Sequence, residues 1–318
     1  MTISSFLKLV EIKTKIASFI PFSLGSIYAI YHFNSFDIKN FILMFISLIC
    51  FDMATTTINN YTDYKTAIKT SGYGYQSHNA IVRDNLEEAT VLLVIFILLI
   101  IAILFGVILY FNTDIIILIL GAISFFVGIH YTYGPIPISR MPIGEIFSGL
   151  FMGFIITFIS TYIHIYDQNF ITILYRDGLL EIIIKEIEEI VYIFLISIPT
   201  ICGIANIMLA NNICDMEEDL QNKRYTLPIY IGTKKSLKLF KLLYYAVYID
   251  MILLIILGVE PITSIITLIT IIPVYNNINK FSINQSKKET FKLSLKNFII
   301  INVTRIFSLV IASLIRIL

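Results

Sequence analysis

Nine residues, Asn211 to Asp219 (Asn-Asn-Ile-Cys-Asp-Met-Glu-Glu-Asp), gather four carboxylates at the end of a long apolar run. On a helix, Asn211, Asp215 and Asp219 recur every four residues and share a face, with Glu218 beside them. Such a face suits a hard divalent cation: magnesium takes one or two protein carboxylates and completes its shell with water and phosphate oxygens. A solvated acidic helix end would have the same composition. A second occurrence of the pattern favours a shared polar site. Asn59-Asn60-Tyr61-Thr62-Asp63 closes another apolar run with the same Asn-Asn-x-x-Asp spacing. Basic residues trail both motifs, Lys65, Lys69 and Arg83 after the first, Lys223 and Arg224 after the second. Carboxylates next to lysine and arginine suit a magnesium-bridged diphosphate, in which metal ties acids to phosphate oxygens and the cations take the remaining charge. The tendency of basic residues to stay on the cytoplasmic side explains the lysines and arginines alone, but not the acids.

The elements that carry these motifs are membrane helices. The chain is 57% hydrophobic and 14% charged, with a mean hydropathy of +0.85, whereas soluble proteins carry about 25% charged residues. This composition excludes a soluble globular protein. The net charge of +1 says nothing for or against an anionic macromolecule, so the expected partner is the bilayer, with no nucleic acid. Runs of about 20 apolar residues fall at 9–32, 38–62, 90–112, 114–133, 141–165, 190–213, 233–257, 260–278 and 294–317, which predicts an all-α polytopic protein of nine spans in a single domain, 1–318. Backbone groups in lipid must be satisfied internally, and runs of this length do so as helices. With the N-terminus cytoplasmic, eighteen of the 23 basic residues fall on the cytoplasmic side, together with both motifs. Asp177 to Ile190 is too charged to span and is expected as an amphipathic helix at the outer surface. Cys50, Cys202 and Cys214 are too scattered for a disulfide framework or a zinc site.

Several polar residues sit within or next to the spans. Asp52 shares a helical face with Thr56, Asn59 and Asp63, about 16 Å below the motif end. A carboxylate at that depth needs a partner. Arg305, inside the last span, is expected to pair with it, or else one or both contact substrate. Tyr131 and Tyr133 stand in a turn-rich connection where interfacial tyrosines are commonly structural. Gly149 and Gly153 form a small-x-x-x-small pattern that predicts close helix packing.

The paired motifs, Tyr133-Gly134-Pro135-Ile136-Pro137-Ile138-Ser139 and Lys223-Arg224-Tyr225-Thr226-Leu227-Pro228 with Ile231-Gly232 resemble the UbiA superfamily of intramembrane aromatic prenyltransferases. Asn59 to Lys65, the Tyr-Gly-Pro segment and Gly144-Glu145 look most like the branch that prenylates 1,4-dihydroxy-2-naphthoate in menaquinone synthesis. The resemblance runs from about Lys13 into the last span. It implies nine helices around a central cavity, a polyprenyl diphosphate and an aromatic acceptor as substrates, and magnesium as cofactor. Asn59, Asp63, Asp215 and Asp219 would bind metal and diphosphate, while Lys223 and Arg224 would cap the site. Lys69 and Arg83 are further candidates for diphosphate contact, and Tyr133 for an aromatic wall around the allylic cation. Asn60 stands where the family often has aspartate, and Lys69 where it usually has an acid, so the first motif is poorer in carboxylate. Other readings are transfer to 4-hydroxybenzoate, haem or a glycerol phosphate lipid, or a transporter with repeated halves.

Overall fold

The structure, a computed structural model, describes residues 1–68, 79–135, 137–168, 171–176 and 179–317. Helix α1 (Ile3–Leu9) is followed by a left-handed residue, Glu11, and a 3-10 turn, Ile12–Lys15, that leads into α2 (Ile16–Phe33). Next come α3 (Ile38–Thr66), α4 (Ala80–Arg83), α5 (Glu88–Asn112) and α6 (Ile115–Thr132). Helix α7 (Gly144–Ser148), a π-helical stretch Gly149–Ile155 and α8 (Ile156–Tyr162) form one rod. Strands β1 (Ile171–Arg176) and β2 (Leu179–Ile184) precede α9 (Ile187–Cys214) and the short α10 (Met216–Gln221). The chain ends with α11 (Leu227–Ile256), a 3-10 stretch Ile262–Thr270 continuing as α12 (Ile271–Ile283), and α13 (Lys292–Ile317).

Nine helical stretches among the described residues are long and apolar enough to cross a membrane, close to the expected boundaries. Their ends carry local signals. Asp37 and Asp114 cap α3 and α6 by accepting bonds from backbone N–H groups of the first turn, which replaces partners a helix start lacks. Gly232 interrupts α11 at φ +78°, a conformation open to glycine at little cost. Helix α3 has 29 residues, about 43 Å at 1.5 Å each, which exceeds a hydrocarbon core of about 30 Å. Its length exceeds what the apolar layer requires.

Helix α9 is the centre of the bundle, packed against α2, the rod formed by α7 and α8, α11 and α13. The two rod glycines set its approach, as the spacing predicted. A Cβ on Gly153 would lie 2.6 Å from the Ile201 Cα, and one on Gly149 would lie 2.9 Å from the Ile201 carbonyl oxygen.

Two expectations are corrected. Part of the segment Asp177 to Ile190 is a β-hairpin arm, with Ile171 opposite Ile184 and Arg176 opposite Leu179. Its isoleucine-rich sequence suits a strand, and the ladder pairs the backbone groups that face the partner strand. The acids Glu188 and Glu189 that suggested a polar helix face instead sit in the first turn of α9, where carboxylates oppose the positive end of the helix dipole. Asp52 and Arg305 do not pair with each other. Lys15 reaches Asp52 at 2.7 Å, and Arg305, fully buried, pairs with Glu260. Each of the two charges has its counter-charge at a junction between helices, Lys15 in the 3-10 turn before α2 and Glu260 in the turn after α11.

Candidate active site

Both Asn-Asn-x-x-Asp motifs end their helices at one polar chamber of about 480 Å³. Helix α3 supplies Asn59 and Asp63, and α9 with α10 supplies Asn211, Asp215, Glu218 and Asp219. Arg140, Arg224, Lys287 and Lys288 complete the charged wall. A second, mainly apolar chamber of about 320 Å³ runs along α3 from Asn59 to Leu48, walled by Phe51, Val127, Tyr131, Phe147, Phe151, Met152 and Ile156. Glu11 and Asn59 line both chambers. The π-helical stretch contributes Phe151 and Met152 to this wall.

Two carboxylates of the polar chamber are already paired with cations. Arg224 donates to Asp63, and Arg140 lies 3.6 Å from the same carboxylate. Lys287 donates to both Asn211 and Asp215. Asp219 is 6% exposed and accepts from the Thr226 hydroxyl at 3.3 Å. Burial pushes its carboxyl up to about 6; Arg224 opposes the shift and Asp215 adds to it. The Tyr225 N–H donates to the Arg140 carbonyl at 3.0 Å, so the loop that brings Arg224 is tied to the one that brings Arg140.

The second asparagine of each motif bonds to a glutamate on another element; Asn60 also borders the chamber, whereas Asn212 does not line it. Asn60 Nδ2 donates to the Leu9 carbonyl at 2.9 Å and to Glu11 Oε1 at 3.3 Å. Asn212 Nδ2 donates to Glu145 Oε1 at 2.9 Å. In both motifs the first asparagine lines the chamber and the second braces its helix against a glutamate on another element, Asn60 doing so from the chamber wall. Asn60, where the family often has aspartate, borders the chamber with an amide that is engaged to Leu9 and Glu11.

Of the residues expected from sequence, Asn59, Asp63, Asp215, Asp219 and Arg224 come together on the polar wall. Lys223 is exposed with a left-handed backbone and is not among the chamber-lining residues. Arg83 turns to Asp84 at 2.9 Å and also lies off the wall. Lys69 lies outside the described residues. Tyr133 is 61% exposed, and the aromatic wall is built by Tyr131 instead. Sequence reasoning missed Glu11, Arg140 and Lys287 as chamber residues. Charge sidedness accounted for Arg140 and Lys287 without a ligand, and no spacing links Glu11 to either motif.

The donor set suits magnesium. The asparagine, aspartate and glutamate side chains of the motifs offer oxygen to the polar chamber, beside the thiol of Cys214, and among the described residues no three of His, Cys, Asp or Glu are arranged to cage a metal. Magnesium is characteristically held by few carboxylates together with substrate phosphate.

A helical membrane bundle with a charged chamber opening beside an apolar one has the architecture of an intramembrane enzyme for substrates with an ionic head and a hydrocarbon body. Residues 18–299 match the UbiA prenyltransferase family, and the chain belongs to that family. A 1,4-dihydroxy-2-naphthoate octaprenyltransferase from Bacillus subtilis (strain 168) is 30% identical over 242 residues, 75% of this chain and 70% of the relative. Among solved structures, the apo form of a UbiA homologue from Aeropyrum pernix K1 aligns with a TM-score of 0.70 at 16% identity, over 92% of this chain and 96% of that one. A UbiA homologue from Archaeoglobus fulgidus bound to GPP and Mg2+ aligns with a TM-score of 0.63 at 13% identity, over 97% and 99%. The structural likenesses establish the fold, that of an integral membrane prenyltransferase.

Proposed function

We propose that this prenyltransferase carries a polyprenyl group from its diphosphate to 1,4-dihydroxy-2-naphthoate, the step that commits the ring to menaquinone, with the motif end of the bundle and the N-terminus on the cytoplasmic side. The observation that carries the reading is the convergence of both motifs, with Arg140, Arg224 and Lys287, on one chamber that adjoins an apolar one. The acceptor is proposed from the naphthoate-prenylating relative.

Asn59, Asp63, Asp215 and Asp219 would hold magnesium, which supplies charge neutralisation for the diphosphate as its bond to the allylic carbon weakens. Arg224 and Lys287 contact these acids and stand within reach of phosphate oxygens, adding fixed positive charge where negative charge develops. The electron pair of the breaking C–O bond leaves with diphosphate, and the electron-rich ring carbon supplies the pair for the new C–C bond. Phe51, Phe147, Phe151 and Tyr131 exclude water from the allylic cation. By the same resemblance, the acceptor's carboxylate leaves as CO2 and the electron pair of its bond to the ring returns to the ring.

The test is to incubate purified protein with magnesium, a polyprenyl diphosphate and 1,4-dihydroxy-2-naphthoate, and to look for the prenylated, decarboxylated product by mass spectrometry. Asp215→Asn is expected to lower kcat by about 100-fold or more while leaving the bundle folded. Turnover with a different aromatic alone would discard the naphthoate acceptor. Absence of pyrophosphate release with every acceptor would discard the reading.

A further inference from the structure

Prenyl transfer as described leaves the ion pair beside the apolar chamber unused. Lys15, 4% exposed, has three ammonium protons and three partners: Asp52 Oδ1 at 2.7 Å, the Asp52 carbonyl at 3.1 Å and Thr56 Oγ1 at 2.6 Å. The Ser18 hydroxyl donates to the other carboxylate oxygen, Asp52 Oδ2. Lys15 itself is not on the chamber wall, whereas Asp52, Ser18 and Thr56 are. The Asp52 side chain retains 13% exposure.

This arrangement has a definite chemical preference. Every Lys15 donor is engaged, so the lysine has none left for an anionic ring substituent. Each carboxylate oxygen has two acceptor positions, and the bonds from Lys15 and Ser18 leave capacity on the side that faces the chamber. What the Lys15–Asp52 pair offers a ring entering among Phe51, Phe147 and Phe151 is therefore a hydrogen-bond acceptor in a low-dielectric setting, where such a bond discriminates strongly against a ligand that cannot donate.

We infer that Asp52 determines acceptor specificity by taking a hydrogen bond from a ring hydroxyl, while Lys15 and Ser18 act as positioning residues that fix its carboxylate. The inference rests on the proposed aromatic prenyl transfer and adds which substituent is read and by which residue. A purely structural alternative is that the ion pair only pins α2 to α3. That role would change stability without changing which ring is chosen.

The experiment compares 1,4-dihydroxy-2-naphthoate with its two analogues that each lack one ring hydroxyl, in the wild type and in Asp52→Asn, with the prenyl diphosphate held saturating. Intrinsic ring reactivity cancels when the ratio of kcat/KM values between acceptors is compared across the two proteins. For one analogue, wild-type discrimination is expected to exceed that of Asp52→Asn by about 10-fold or more, with KM for the prenyl diphosphate within about twofold. If Asp52→Asn fails to fold because Lys15 is stranded, the neutral double variant Asp52→Asn/Lys15→Met gives the same comparison. Wild-type turnover with unchanged ratios in the variants overturns the inference and leaves the function standing. Equal loss for all acceptors, or a parallel rise in KM for the prenyl diphosphate, assigns the pair to structure and also overturns it. Failure of the wild type to prenylate any hydroxylated ring overturns the functional reading, and the inference with it.

Discussion

Asn60 and Asn212 hold the same place in their motifs and make the same kind of bond, to Glu11 and Glu145. The repeated spacing was legible in the sequence because it concerns residues on one helix. The glutamates were not, since a bond between elements leaves no period behind. The same limit applies to Lys15 and Asp52, which lie 37 residues apart. His164 offers a residue-scale test at the end of the bundle opposite the motifs. It is 3% exposed, and its Nδ1 accepts from the Asp37 N–H at 3.0 Å. Burial pulls its imidazole down from 6.5 to about 4, against a smaller opposing effect of Asp37. The unfolded chain then binds a proton in a range where the folded one does not. The contribution is full above pH 6.5 and is lost as pH falls toward 4, at up to about 1.4 kcal/mol per unit. Thermal unfolding in detergent between pH 7.5 and 4.5 is expected to show that decline, and His164→Gln to flatten it.

The nine spans could be read almost to their ends because each is decided by its own apolar length. The strand Leu179–Ile184 could not, since an isoleucine run beside Glu181 satisfies either a strand or an interfacial helix and only the pairing partner decides. The contact between the α7–α8 rod and α9 was legible from Gly149 and Gly153, whose spacing marks a close approach without naming the partner. At Gly153 an added methyl meets backbone atoms of Ile201, which cannot rotate aside. Gly153→Ala is expected to cost about 1–3 kcal/mol, read as a lower midpoint of thermal unfolding. A change at Gly121, where an added Cβ meets nothing within 4 Å, is expected to leave the midpoint within experimental error.

At the scale of the whole molecule, buried charge is handled in separate places. The Lys15–Asp52 pair borders the apolar chamber, whereas Arg305 and Glu260 are buried together and line neither chamber. Arg305 also donates to the Ile196 carbonyl at 2.7 Å, joining α13 to α9. Removing one partner of such a pair strands the other. Arg305→Met alone is expected to cost about 3–5 kcal/mol, and Arg305→Met/Glu260→Gln to recover most of it, with prenyl transfer by the folded fraction unchanged. The sequence shows both charges plainly but not their association, because Glu260 reads as a turn residue facing solvent. The salt links of the polar chamber have a consequence of their own. Lys287 and Arg224 pair with Asp215 and Asp63, so two of the acids that would hold metal are engaged by cations of the same chamber. Loading it is a change of partners: the cations must let go of the acids as phosphate oxygens arrive to receive them. Magnesium alone offers those cations nothing in return, so calorimetry is expected to show weak uptake without diphosphate and tighter uptake by Lys287→Met. That variant should bind prenyl diphosphate less well, so one side chain would set both the threshold for the metal and the reward for bringing it with the substrate.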